Sequence, residues 1–199
     1  MIKKTIIIYF FLAITFGFLN IAVYADRQAE HNPSYEEILT LSGEWEFYWE
    51  QFLTPADFEE NDHKPSYIHV PSSWNHQLFR NEETSRFGYG TYRLVLSISP
   101  HDVGEEKALL LNYIASAYRI WINGKEYQGL GQIGTSKSEE KIHLQRNLIT
   151  FIPEKDHIEL IIQVSNFSFR EGGIIGEVEY GNSKWISNQY LRDGFFRVF

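Results

Sequence analysis

The chain has no cysteine among its 199 residues, which removes disulfides, thiolate metal sites and thiol nucleophiles together. Its stability has to come from packing, and a composition 43% hydrophobic and 16% aromatic supplies the material. Basic residues are also scarce, 18 Lys and Arg against 26 Asp and Glu, for a net charge of −8. A surface of that sign repels phosphate backbones and anionic lipid, so nucleic acid is not expected as a partner.

Catalytic signatures are missing as well. There is no Gly-x-Ser-x-Gly elbow. The histidines, His31, His63, His69, His76, His101, His143 and His157, never fall at the i, i+4 spacing of a zinc helix. The glycine-rich run from Gly131 to Ser136 lacks the Gly-Lys-Ser/Thr ending of a phosphate loop. Adjacent acids at Glu36-Glu37, Glu59-Glu60 and Glu139-Glu140 read as solvated surface charge, because nothing local fixes an acid–base geometry. The expectation is a non-enzyme without cofactor or metal.

What is present begins with an export-type start. Lys3 and Lys4 precede an apolar run from Thr5 to Val23, which closes on Val23-Tyr24-Ala25 before the polar Asp26. This three-part layout predicts a signal peptide over residues 1–25, cleaved after Ala25. The apolar run approaches the roughly 20 residues that span a bilayer, so an uncleaved anchor is the alternative. Either reading places the rest of the chain outside the cytoplasm, at a bacterial surface or secreted. Residues 26–40 form a polar lead-in.

From Leu41 onward the pattern is that of strands. Trp45, Phe47 and Trp49 alternate with Glu44, Glu46 and Glu50. Tyr92, Leu94, Leu96 and Ile98 alternate with Thr91, Arg93, Val95 and Ser97, and Pro100 ends that run. Tyr118, Ile120 and Ile122 share one face of a strand, with Arg119 and Trp121 on the other. Asn123-Gly124 supplies the two positive-φ residues of a type I′ turn, which predicts a tight hairpin from Ile122 to Lys125. Further strands are expected at residues 67–70, 108–114, 148–152, 158–164 and 177–180, with a helical turn near residues 55–59. No sustained helical period separates them, so the fold class is an all-β sandwich over residues 41–182. Residues 183–199 mix Trp185, Tyr190, Phe195, Phe196 and Phe199 with Arg192 and Arg197. They read either as a juxtamembrane tail or as a partly buried terminal helix.

The order of Gly43-Glu44-Trp45, Pro71-Ser72-Ser73-Trp74, Gly90-Thr91-Tyr92-Arg93, Tyr118 to Lys125 and Gln163-Val164-Ser165-Asn166 resembles two related groups. The looser resemblance is to the sugar-binding, galactose-binding-like jelly roll of family 2 glycoside hydrolases. The closer one, which includes Gly131 to Ser136 and Gly172 to Gly176, is to the extracytoplasmic domain of bacterial seven-transmembrane receptors. The resemblance implies a sensor domain for a carbohydrate or other small molecule, attached to the membrane through a segment downstream of Phe199. The alternative is the non-catalytic sugar-binding domain of a family 2 hydrolase without its catalytic barrel.

Five residues are the candidate ligand contacts. Arg119 and Trp121 point away from the isoleucine core face, and a guanidinium beside an indole suits sugar hydroxyls and the apolar face of a sugar ring. Equally, the arginine can stack on its neighbours for structure. Asn166 and Arg170 flank a strand end before Gly172-Gly173, where sandwiches carry binding loops. Trp74 either plugs the sandwich rim or stacks on a sugar.

Overall fold

A computed structural model describes residues 38–60, 63–79 and 82–195, with side chains up to residue 192. The expected signal segment, most of the lead-in and the last four residues of the tail lie outside the described residues. Two antiparallel sheets face each other. The larger runs β10 (Lys125–Leu130), β9 (Ala117–Ile122), β12 (His157–Asn166), β6 (Gly88–Ser97), β2 (Gly43–Trp49) and β3 (Ser66–Val70). The smaller runs β1 (Leu39–Thr40), β14 (Val178–Asn182), β7 (Lys107–Leu111) and β11 (Asn147–Phe151). Among the described residues there are also two short antiparallel pairs, β8 (Ile114–Ala115) with β13 (Gly173–Ile174) and β4 (Leu78–Phe79) with β5 (Glu82–Glu83). The fold is an all-β jelly-roll sandwich.

The period-2 alternation of the sequence sets which side chains meet. Trp45, Phe47, Tyr92, Ile120, Ile122, Leu160 and Ile162 project from the larger sheet onto Leu109, Leu111, Ile149, Phe151, Val178 and Tyr180 of the smaller, forming one core. Asn123 and Gly124 both take positive φ, 49° and 78°, and pair Ile122 with Lys125 as the type I′ turn demands.

Several boundaries differ from the sequence reading. β1 already pairs with β14 at Leu39 and Thr40, so the sandwich opens two residues early. The polar connection between Asn75 and Gly88 contains the β4–β5 pair, anchored by the buried Phe79. Residues Ser183–Phe195 form a helix. It packs on the outer face of the smaller sheet, where Ile186 meets Ala108 and Leu110 and Tyr190 lies alongside. Among the described residues no helix is long and apolar enough to cross a membrane.

Candidate functional site

The predicted contact residues divide between two places, and most of them prove to be scaffold. Trp74 is fully buried against Phe47, Trp49 and Tyr92. Its indole N–H donates to the Arg86 carbonyl at 3.3 Å, and its own carbonyl accepts from Thr84 Oγ1. Gly172 packs flat on the ring: a Cβ there would lie 2.4 Å from Trp74 Cε2, so the glycine is required by close approach. Asn166 is equally buried. Its amide donates to the Arg86 and Phe169 carbonyls at 2.8 and 3.1 Å, and its oxygen accepts from the Phe169 N–H at 2.9 Å. Neither residue offers a ring or a polar atom to a ligand. Both belong to a knot that ties the segments around Asn75 and Arg86 to residues 166–173, which for Trp74 is the plugging role the sequence offered. Asn75 closes the knot by donating to the Arg170 carbonyl at 2.8 Å. The Arg170 side chain itself is 87% exposed beside Glu171.

Arg119 and Trp121 do lie on the outer face of the larger sheet, yet Trp121 is 6% exposed. The Arg119 guanidinium sits 4.9 Å over its ring and donates twice to Glu126 Oε1, at 2.9 and 2.8 Å. The indole is therefore covered by its own neighbour, which is the structural alternative left open by the sequence. The Arg119 head group remains half-exposed.

A better-formed site lies on the same outer face, across β2, β6 and β12. Register places Glu46 opposite Arg93, with Glu159 on the diagonal of the next strand. Arg93 bridges the two, Nη1 to Glu46 Oε2 at 3.1 Å and Nε to Glu159 Oε1 at 2.7 Å. Burial disfavours the charged guanidinium, and the Glu159 and Glu46 carboxylates outweigh it, so the Arg93 pKa is raised. Tyr48 donates to Glu46 Oε2 at 2.8 Å, and burial followed by that carboxylate pushes its phenol above the ordinary range.

Residues 51–60 form the wall. Thr91 Oγ1 donates to the Gln51 carbonyl at 2.7 Å and accepts from the Leu53 N–H at 2.9 Å, while Gln163 Nε2 donates to the Leu53 carbonyl at 3.0 Å. This strap delivers α1 (Pro55–Glu60) to the sheet. Thr54-Pro55-Ala56-Asp57 is a helix start: the Thr54 N–H and Oγ1–H both donate to Asp57 Oδ2, at 2.7 and 2.6 Å, with Pro at the first helical position. The same two bonds from Thr54 hold the Asp57 carboxyl below its ordinary value. Phe58 is thereby set 4.7 Å over the Arg93 guanidinium and edge-on to Tyr48 and His63, at 5.2 and 5.7 Å.

The result is a cleft of about 380 Å³, open to solvent, with an aromatic wall of Tyr48, Phe58 and His63 and an ionised floor. A second hollow of about 230 Å³ shares Phe58, Glu59 and Arg93 and continues towards Lys155, His157 and Glu159. Rings beside fixed polar groups are the arrangement that binds small hydroxylated or charged molecules. The sequence reading missed this cleft, although the Thr54 to Asp57 cap and the alternation of Glu46 and Arg93 away from the core were visible.

Glu140, expected as solvated charge, is a further correction at 9% exposure. It accepts from Ser116 Oγ, Ser165 Oγ and Ser168 Oγ at 2.8, 3.0 and 3.1 Å and from the Phe167 N–H at 3.1 Å, clamping its loop to the end of β12. Among the described residues no three His, Asp or Glu side chains gather as metal ligands.

No protein-family model matches the chain, and no curated protein matches it in sequence. Solved structures do share the fold. A β-glucuronidase from Ruminococcus gnavus superposes with a TM-score of 0.55 at 15% identity, over 77% of this chain and 29% of that one. A putative β-galactosidase from Bacteroides fragilis gives 0.52 at 15% identity, over 73% and 23%. A GH2 β-galacturonidase from Eisenbergiella tayi gives 0.50 at 12% identity, over 74% and 24%. This sandwich therefore has the fold of a domain found in family 2 glycosidases, and it spans less than a third of their length.

Proposed function

We propose that this chain is an exported, non-catalytic module that binds a carbohydrate or related small molecule in the outer-face cleft. The observation that carries the reading is the cleft itself, an aromatic wall set over fixed ionic groups on a sandwich of the family 2 glycosidase type. Rigid strands hold the floor and a capped helix holds the wall, so the site is formed before any ligand arrives.

Of two settings for such a module, the structural neighbours favour the first, a family 2 hydrolase domain apart from its catalytic barrel. The second, a sensor domain of a seven-transmembrane receptor, rests on the order of the sequence motifs and on the export-type first 25 residues. The coding sequence downstream of Phe199 separates them, a barrel supporting the first and a run of apolar spans the second.

The function is tested by titrating the protein with a glycan panel and mapping amide shifts by NMR. Binding that perturbs Glu46, Phe58 and Arg93 is expected. Shifts confined to the Arg119 or Arg170 surface would move the site, and silence across the panel would refute the reading. Turnover of aryl glycosides lost on Glu46→Gln would make the module an enzyme.

A further inference from the structure

Resting on that reading, we infer that the outer-face cleft selects an ammonium-bearing sugar, an amino sugar of the glucosamine type, and discriminates against uronates. Three observations converge on this. First, the lining carries the carboxylates of Glu46, Glu59 and Glu60 against one permanent cation, Arg93. A uronate entering there meets repulsion of its own sign, and an ammonium meets attraction, both weakened by added salt.

Second, the one guanidinium is already committed. Arg93 spends Nε on Glu159 and Nη1 on Glu46, and the Phe58 ring covers its face. Two of its five N–H donors are engaged, and those left to an incoming carboxylate lie beside Glu46 and Glu159, whose charge opposes it. The carboxylates, by contrast, keep capacity: Glu46 accepts at Oε2 from both Arg93 and Tyr48, and among the described residues no hydrogen bond falls on Oε1.

Third, and independent of the acids, Tyr48, Phe58 and His63 meet edge to face around the cleft, with centroids 5.2 to 6.2 Å apart. Aromatic rings about a cavity attract a cation through their faces and cover the C–H surface of a sugar equally well, and here one face of Phe58 is already taken by Arg93. Rings combined with free carboxylate oxygens suit a ligand with one ammonium and several hydroxyls. His63 Nε2 donates to the Asp57 carbonyl at 3.2 Å, which keeps that ring part of the wall.

The test is calorimetric titration of the whole chain with glucosamine, glucose, glucuronate and spermidine at low and high salt. Glucosamine should bind about tenfold tighter than glucose, glucuronate should be the weakest, and the glucosamine preference should shrink as salt rises. Glu59→Gln and Glu60→Gln, both at exposed positions, should each narrow the glucosamine-to-glucose ratio without lowering Tm. Glucuronate binding as tightly as glucosamine overturns the charge selection and leaves the binding-module reading intact. Spermidine matching glucosamine overturns the sugar assignment in favour of a general cation site. Failure of every sugar to bind overturns both this inference and the reading beneath it.

Discussion

The two outer faces of the sandwich have opposite fates. On the smaller sheet, the face of Ala108 and Leu110 is sealed by the C-terminal helix through Ile186 and Tyr190. On the larger sheet, residues 51–60 cross the face only partway, and Glu46, Arg93 and Glu159 lie beside and beneath them, still partly exposed. On the sealed face the buried side chains are committed to packing. A face left half-covered and ionised holds groups whose mutual pairing is only part of what they can bind.

Ile186→Ala gives the sharpest break on the sealed side. Removing a fully buried branched side chain should cost about 2 to 4 kcal/mol. Chemical denaturation should register that loss while the glycan affinity stays unchanged. Coupled loss of affinity would mean that the two faces are not independent.

On the open side, Arg93→Ala should cost about 2 kcal/mol, since it leaves Glu46 and Glu159 facing each other without their cation. Unlike the helix substitution, it should abolish binding in the cleft. An Arg93→Ala protein that binds normally would show that the floor is scaffold only.

Asp57→Ala removes the acceptor that caps α1 and should cost about 1 kcal/mol, with affinity falling because Phe58 loses its fixed position. Because the folded-state pKa of Asp57 is depressed, its contribution is present above the unfolded value of about 3.9 and disappears as pH falls through the lower, folded value. A pH titration of stability in the acid range should therefore differ between wild type and Asp57→Asn.

Arg119→Ala should have the smallest effect, about 0.5 kcal/mol, because its pair with Glu126 is solvent-screened. Trp121→Ala next to it should lower Tm clearly, as expected of a buried ring. If the two behave alike, with Tm unchanged and affinity lost, the Arg119 surface is the true site and the cleft is not.

What could be read from the sequence was whatever depends on neighbours in the chain. Alternation in β2, β6 and β9 disclosed which side chains face the core, and Asn123-Gly124 disclosed its hairpin, because period and turn chemistry are local. Contacts between distant segments left no such trace. Trp74 stood out as a motif, but its partner Gly172 lies far along the chain, so burial in a knot and exposure at a rim looked alike. The cleft required knowing that Glu46 pairs with Arg93 and that Glu159 reaches the same guanidinium across a strand. Glu140 could not be told from its neighbour Glu139, since three serines from elsewhere in the fold decide its burial.

The pairing of Leu39 with Tyr180 and Thr40 with Glu179 puts the first strand of the sandwich beside the last, running the opposite way. Tension applied between Leu39 and Asn182 would consequently load the bonds of that edge singly, peeling β1 from the sheet instead of shearing it. Under mechanical pull the smaller sheet would open first at this seam, and the load would pass next to β2, which begins three residues after Thr40 and carries Glu46 and Tyr48 of the cleft.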